Sequence, residues 1–233
     1  MPEIAKSNEG FAIAIDGPAS SGKGTVARLV AKELNYAYID TGSMYRSVAL
    51  LARRKGIPWE DEETLAELAE GLDFRFSFRD GAFKVVVNGE DMSQSIRTEV
   101  VGQGASAVAV KPMVRTALLG VQRDLARREG VVLDGRDIGT VVLPDAPLKV
   151  FMDAELAVRA QRRHTELIGR GIEKTVSEVQ QELAARDHQD SSRATAPLKQ
   201  AADAVYLDTT AQTPETVAKQ IVALAREKGA VDG

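Results

Sequence analysis

The stretch IDGPASSGKGT, Ile15 to Thr25, follows a short apolar run and concentrates glycine, lysine and hydroxyl residues. Glycine carries an entropic penalty on folding, so a cluster of it points to backbone that must approach a ligand closely. The spacing G-x-x-x-x-G-K, from Gly17 to Lys23, is that of a phosphate-cradling loop. In such a loop, backbone N–H groups converge on phosphate oxygens and the following helix adds the positive end of its dipole. Lys23 then places a mobile cation on the β- and γ-phosphates. The usual Ser or Thr after the lysine is Gly24, and Thr25 supplies the next hydroxyl. A glycine-rich turn that fits by accident is the competing reading. A strand before the motif and a helix after it argue for the phosphate site.

Other segments carry residues suited to a second, anionic substrate. DTGSMYR, Asp40 to Arg46, offers Thr41 as an N-cap for a helix starting near Gly42, with Arg46 one turn in. Both suit a small anion; they equally suit a capped helix with a solvated arginine. In LDGRDIGT, Asp134 ends an apolar run, where a phosphate-loop protein places a carboxylate near Mg²⁺. Arg136 and Asp137 follow between Gly135 and Gly139, at the ligand-binding edge of a parallel sheet. A turn closed by a structural ion pair is the alternative there. ASAVAVKPMVRTAL places Ser106 and Arg115 around Pro112, and RDHQDSSR carries Arg186, Asp190 and Arg193. ELAVRAQRRHTEL gathers Arg159, Arg162 and Arg163 on one helix, as a solvated face or as a lid over a phosphoryl group in transfer. His164 and His188 are the only histidines, and no catalytic role is expected of either. Trp59 follows Pro58 and reads as packing.

The elements that must position these residues alternate. FAIAID (11–16), YAYID (36–40), VVLD (131–134), LKVFMD (148–153) and AVYLD (204–208) read as buried strands separated by helical patterns. That rhythm predicts an α/β fold of the P-loop NTPase kind, a five-stranded parallel sheet flanked by helices. One region departs from it. LDFRFSFRDGAFKVVVNGED (72–91) alternates with period two, and Asp80-Gly81 and Asn88-Gly89 are hairpin turn signals. Residues 68–110 therefore read as an inserted small antiparallel-β/α subdomain. Residues 11–67 and 111–233 form the core, and residues 1–10 read as a flexible tail.

The 233 residues suffice for one large domain with an insertion. A net charge of -4 gives no general basic character for nucleic-acid binding. The absence of cysteine excludes disulfides, thiolate nucleophiles and Cys-based zinc sites. The polar start lacks a signal-peptide apolar region, and no run of about 18 apolar residues spans a membrane. The expectation is a cytoplasmic protein without membrane or nucleic-acid partners.

Taken in order from about Phe11 to Leu224, these motifs, with DGRDIGTVV.PDAPLK and APL..A.DA..LD, resemble the bacterial-type cytidylate kinases. The resemblance implies transfer of the ATP γ-phosphoryl group to CMP or dCMP, with Mg²⁺, in a monomer. It implies that Gly17, Pro18, Ala19, Ser20, Ser21, Gly22, Lys23, Gly24 and Thr25 hold the ATP phosphates, with Thr25 near Mg²⁺. Arg46, Arg136 and Arg193 would hold the CMP phosphate, and Thr41 would lie near the nucleotide. Ser106, Arg115 and Asp137 would read cytosine, and Arg186 and Asp190 would contact the sugar. Lys23, Arg136, Arg193, Arg159 and Arg163 would serve the transfer, the last two from a short helical lid at about 157–172. Where some relatives carry further arginines, this chain has Gln189 and Ser191. A kinase for UMP, AMP or shikimate, and a nucleotide-sensing module without chemistry, are the rival readings.

Overall fold

The structure, a computed structural model, describes residues 10–79, 82–127 and 130–233. The residues before Gly10 and the Asp80-Gly81 turn lie outside the described residues.

Five parallel strands form the central sheet: β1 (Ala12–Asp16), β2 (Ala37–Asp40), β6 (Val131–Gly135), β7 (Leu148–Asp153) and β8 (Val205–Asp208), in the order β2-β6-β1-β7-β8. β1 is central and every residue in it is buried, which explains the apolar run Ala12 to Ile15 that precedes Asp16. α1 (Lys23–Leu34) and α8 (Pro214–Glu227) pack on one face through Val26, Val30, Ile221 and Val222 against Ile13, Ile15 and Val150. α5 (Pro112–Ala126) and the turn after β6 cover the other face against Ala14, Leu133 and Ile39. This order puts the strand ends that carry Asp16, Asp40 and Asp134 at one edge, where parallel sheets bind ligands.

The period-two region forms a separate antiparallel sheet, β3 (Phe74–Arg79), β4 (Ala82–Val87) and β5 (Glu90–Asp91). Asn88 (φ 50°) and Gly89 (φ 84°) make the tight turn that joins β4 to β5, with Val87 paired to Glu90. The sheet shares a core with α2 (Thr41–Arg54), α3 (Glu62–Glu70), α4 (Glu99–Ala109) and α5 through Met44, Leu65, Val85 and Leu118. Trp59 packs on this core, and its Nε1 donates to the Ala49 carbonyl at 3.1 Å.

Two details differ from the sequence reading. α3 runs through residue 68, so a unit starting there would cut a helix whose Leu65, Ala66 and Ala69 form one buried face. Asp61 is the N-cap of that helix, its Oδ1 accepting from Thr64 N at 3.2 Å. The N-cap of α2 is Asp40, whose Oδ1 accepts from Ser43 N at 3.1 Å, while Thr41 is the first helical residue. The remaining helices are α6 (Leu156–Ile168) and α7 (Val176–Ser192). No described helix is long and apolar enough to cross a membrane.

Candidate active site

A cavity of about 1030 Å³ opens at the carboxyl edge of the parallel sheet. Its floor is the loop between β1 and α1. Gly17 has φ 152°, and a Cβ there would lie 2.0 Å from the Met152 carbonyl oxygen, so no other residue fits. Gly22 (φ 90°) turns the chain into α1 without a side-chain cap, leaving the helix's first N–H groups facing the cavity. Ala19 to Thr25 line the cavity, while Gly17 and Pro18 lie beneath it. Lys23 is buried, and its Nζ donates to its own loop at the Pro18 carbonyl, 2.7 Å away. Burial, assisted by Arg136, holds its ammonium below the ordinary lysine range.

All nine residues assigned to the second nucleotide line the same cavity. Asp137 is 5% exposed and pairs with two arginines. Arg115 Nη2 donates to Oδ2, and Arg193 Nη2 donates to Oδ1 at 3.5 Å. The Arg115 guanidinium lies over the Tyr45 ring, 5.5 Å from its centroid, and donates through Nη1 to the Ala109 carbonyl. Ser106 faces the same space from α4, its hydroxyl held at 3.4 Å from the Gly102 carbonyl. Arg136 Nε donates to Asp190 Oδ2 at 2.8 Å. Burial pushes the Asp190 carboxyl up, but Arg136, Arg186 and Arg193 outweigh it and hold it below the usual range. Among the described residues, Arg186 Nε is buried without a partner, and burial with Arg136 nearby lowers its pKa to about 10. An orphaned guanidinium N–H of this kind is costly unless a ligand satisfies it.

Thr41 and Arg46 also line the cavity, in roles the sequence did not give. The Thr41 hydroxyl donates to the Asp134 carbonyl at 2.8 Å and ties α2 to β6. Arg46 Nη1 reaches Asp40 Oδ2 at 3.4 Å.

The arginines of α6 divide. Arg162 and Arg163 line the cavity. Arg159, read as a lid residue over the transferred group, lies elsewhere. It is 6% exposed and donates to the Ala154 carbonyl (2.8 Å), the Ala19 carbonyl (3.1 Å) and Asp187 Oδ2 (2.7 Å). It braces the phosphate loop from below instead of facing the cavity. Its position on a helix with Arg162 and Arg163 could not reveal this, because acceptors on two distant segments, the Ala19 carbonyl and the Asp187 carboxylate, decide it.

Sequence reasoning passed over Asp16, Tyr38 and Arg97. Tyr38 OH donates to Asp134 Oδ1 at 2.8 Å. Burial, with Asp40 nearby, raises the Asp134 carboxyl above its ordinary range. Arg97 enters the cavity wall from the segment after β5, its Nε donating to the Ser93 carbonyl. No described cluster of three or more His, Asp or Glu could hold a metal by itself. The Thr25 hydroxyl and the Asp134 carboxylate are hard oxygen donors beside a phosphate loop. They fit a divalent ion such as Mg²⁺ that takes most of its ligands from phosphate and water.

The cytidylate kinase family model matches residues 13–227. A cytidylate kinase from Geobacter sp. strain M21 is 48% identical over 220 residues, covering 94% of each chain. One from Chromobacterium violaceum is 49% identical over 218 residues, covering 94% of this chain and 96% of the relative. A crystal structure of an uncharacterised protein from Eubacterium ventriosum superposes with TM-score 0.53 at 12% identity, covering 93% and 98% of the two chains, which supports the fold alone. The phosphate loop, the arginine-lined cavity and a family match across nearly the whole described chain agree: the chain belongs to the cytidylate kinase family.

Proposed function

We propose that this chain transfers the γ-phosphoryl group of ATP to CMP or dCMP, releasing ADP and CDP or dCDP. The observation that carries the reading is Asp137, a buried carboxylate held between Arg115 and Arg193 in the cavity that the phosphate loop also lines. Cytosine presents an N4 amino donor beside its N3 and O2 acceptors. Asp137 accepts from N4, while Arg115 and Ser106 donate to N3 and O2. Uracil sets a carbonyl oxygen against the carboxylate and leaves a buried polar group unpaired, so CMP is preferred over UMP by about tenfold to a hundredfold.

The transfer needs no side-chain nucleophile. The CMP phosphate oxygen is already anionic and attacks the γ-phosphorus in line; the bond to the bridging oxygen breaks and ADP leaves with that electron pair. Arg46, Arg136 and Arg193 hold the acceptor phosphate. Lys23 leaves the Pro18 carbonyl for the β- and γ-phosphates, and Arg163 adds charge from the lid at 157–172. Thr25 and Asp134 would hold Mg²⁺, largely through water, and the bound ion supplies charge neutralisation on the triphosphate. Arg186 and Asp190 meet the sugar. The insert of residues 68–110, taken together with the whole of α3, covers the acceptor, and residues 157–172 close over the donor to exclude water. Each chain carries a complete site, so the working unit is a monomer, and its substrates place it in the cytoplasm.

The test is a phosphotransfer assay with Mg-ATP and CMP, dCMP, UMP, AMP or shikimate, following ADP. Rapid turnover confined to CMP and dCMP is expected. Rapid turnover with another acceptor would remove the cytosine assignment.

A further inference from the structure

The acceptor-reading residues Arg136 and Asp137 sit on a segment with little regular structure of its own. It leaves β6 at Gly135 and enters a single wide turn, Ile138–Val142, closed onto the Asp137 carbonyl by Val141 N (2.9 Å) and Val142 N (3.1 Å). Wide turns of this type concentrate at functional sites and leave backbone groups at both ends to be satisfied.

Both ends are met by charged side chains from other elements. At the start, Asp16 Oδ1 accepts from Ile138 N at 2.8 Å and Oδ2 accepts from Gly139 N at 2.7 Å. At the finish, Arg123 of α5 donates through Nε to the Val142 carbonyl at 3.0 Å and through Nη2 to the Val141 carbonyl at 2.9 Å. The signs follow the peptide dipoles, an anion at the N–H end and a cation at the C=O end. Asp16 is also the last residue of β1 and directly precedes Gly17, the first glycine of the phosphate loop. One carboxylate therefore fixes the acceptor-reading turn against the start of the donor loop.

We propose that Asp16 and Arg123 are positioning residues for the acceptor: together they clamp the Ile138–Val142 turn so that Asp137 and Arg136 meet CMP in register with the donor phosphates. The inference rests on the CMP reading given above. A carboxylate is required at Asp16 because two N–H groups need two separate acceptor oxygens. Asparagine offers one acceptor and points an NH₂ at the other N–H. At Arg123 a guanidinium is required because two successive carbonyls need a forked donor.

The experiment uses Asp16→Asn and the exposed-end variant Arg123→Gln in the full chain, with steady-state kinetics in Mg-ATP and CMP. Each substitution is expected to raise the KM for CMP about tenfold while the KM for ATP stays within about twofold. Hydrogen exchange of a peptide covering 136–142, measured without substrates, should quicken in both variants while exchange across α1 stays as in the wild type. Arg123→Gln alters a partly exposed side chain, so it keeps the test open if Asp16→Asn fails to fold. An active wild-type enzyme whose folded variants keep the CMP KM, or lose ATP and CMP affinity in parallel, would overturn the positioning role alone. A wild-type enzyme without CMP activity would overturn the acceptor reading and the positioning role with it, whatever the exchange at the turn.

Discussion

Arg136 Nε donates to Asp190 Oδ2 at 2.8 Å, joining the segment after β6 to the last turns of α7 across 54 residues of sequence. Both side chains are largely buried, and both line the cavity. Arg136 also donates through Nη1 to the Gly135 carbonyl at 3.2 Å, and Arg193 Nη1 lies 3.9 Å from Asp190 Oδ1. The aspartate thus anchors two arginines beside the cavity; under the proposed function they would act as a preorganised clamp of the kind phosphoryl transfer relies on.

Replacing Arg136 by Met removes the charge, keeps most of the volume and strands the Asp190 carboxylate. The expected result is a fall in kcat/KM for CMP of about a hundredfold to a thousandfold, with ATP affinity little changed. Steady-state kinetics with each substrate varied in turn checks the split.

Arg159→Ala acts differently. It leaves Asp187 and the Ala19 carbonyl without their buried donor. Breaking a buried pair from one side costs about 3–5 kcal/mol, so thermal unfolding should move down by several degrees and the KM for ATP should rise. The CMP KM at saturating ATP should move less. Differential scanning calorimetry with the two KM values checks this.

Gly17→Ala tests the loop itself. A Cβ at that position meets the Met152 carbonyl oxygen at 2.0 Å on a backbone with φ 152°. The loop must shift, and nucleotide binding should be lost beyond detection in an ATP titration, while Gly56→Ala, at an open site (φ 71°), affects stability alone.

How far the sequence spoke for this arrangement varies with the range of the interaction. The strands, the phosphate loop and the Asn88-Gly89 hairpin were legible because each depends on neighbours a few residues apart. The line-up of Ser106, Arg115 and Asp137 came from resemblance to a family and not from spacing, since they lie on α4, α5 and the turn after β6. Asp16 was hidden because an aspartate ending a strand before a glycine-rich loop gives no sign that it accepts two N–H groups 122 and 123 residues away. The contacts of Arg159 with Ala19 and Asp187 are hidden for the same reason: helix spacing gives the face of a residue, and only tertiary packing decides whether that face meets solvent, ligand or a buried carbonyl. Thr41 was read as the cap because Thr and Asp both suit that place; the Asp40 side chain wins since it reaches Ser43 N.

Asp16 also predicts a pH effect. Burial raises its carboxyl to about 6, opposed by the Gly139 and Ile138 N–H groups; Asp137 raises it further and Lys23 lowers it. A folded pKa above the unfolded value of about 3.9 means that the folded state holds the proton more tightly. Its contribution to stability is therefore complete below about pH 4 and declines as pH rises to about 6, by roughly 3 kcal/mol. The stability difference between wild type and Asp16→Asn, from urea unfolding at several pH values, should shift against the wild type across that window. A difference independent of pH would contradict the assignment.

The most direct measurement is the ratio of kcat/KM for CMP to that for UMP, in the wild type and in Asp137→Ala, with saturating Mg-ATP. The account predicts a wild-type ratio of about ten to a hundred that collapses toward unity in the variant, while the KM for ATP holds. A wild-type ratio near one, or a ratio that survives loss of the Asp137 carboxylate, would contradict the claim that this carboxylate reads the cytosine.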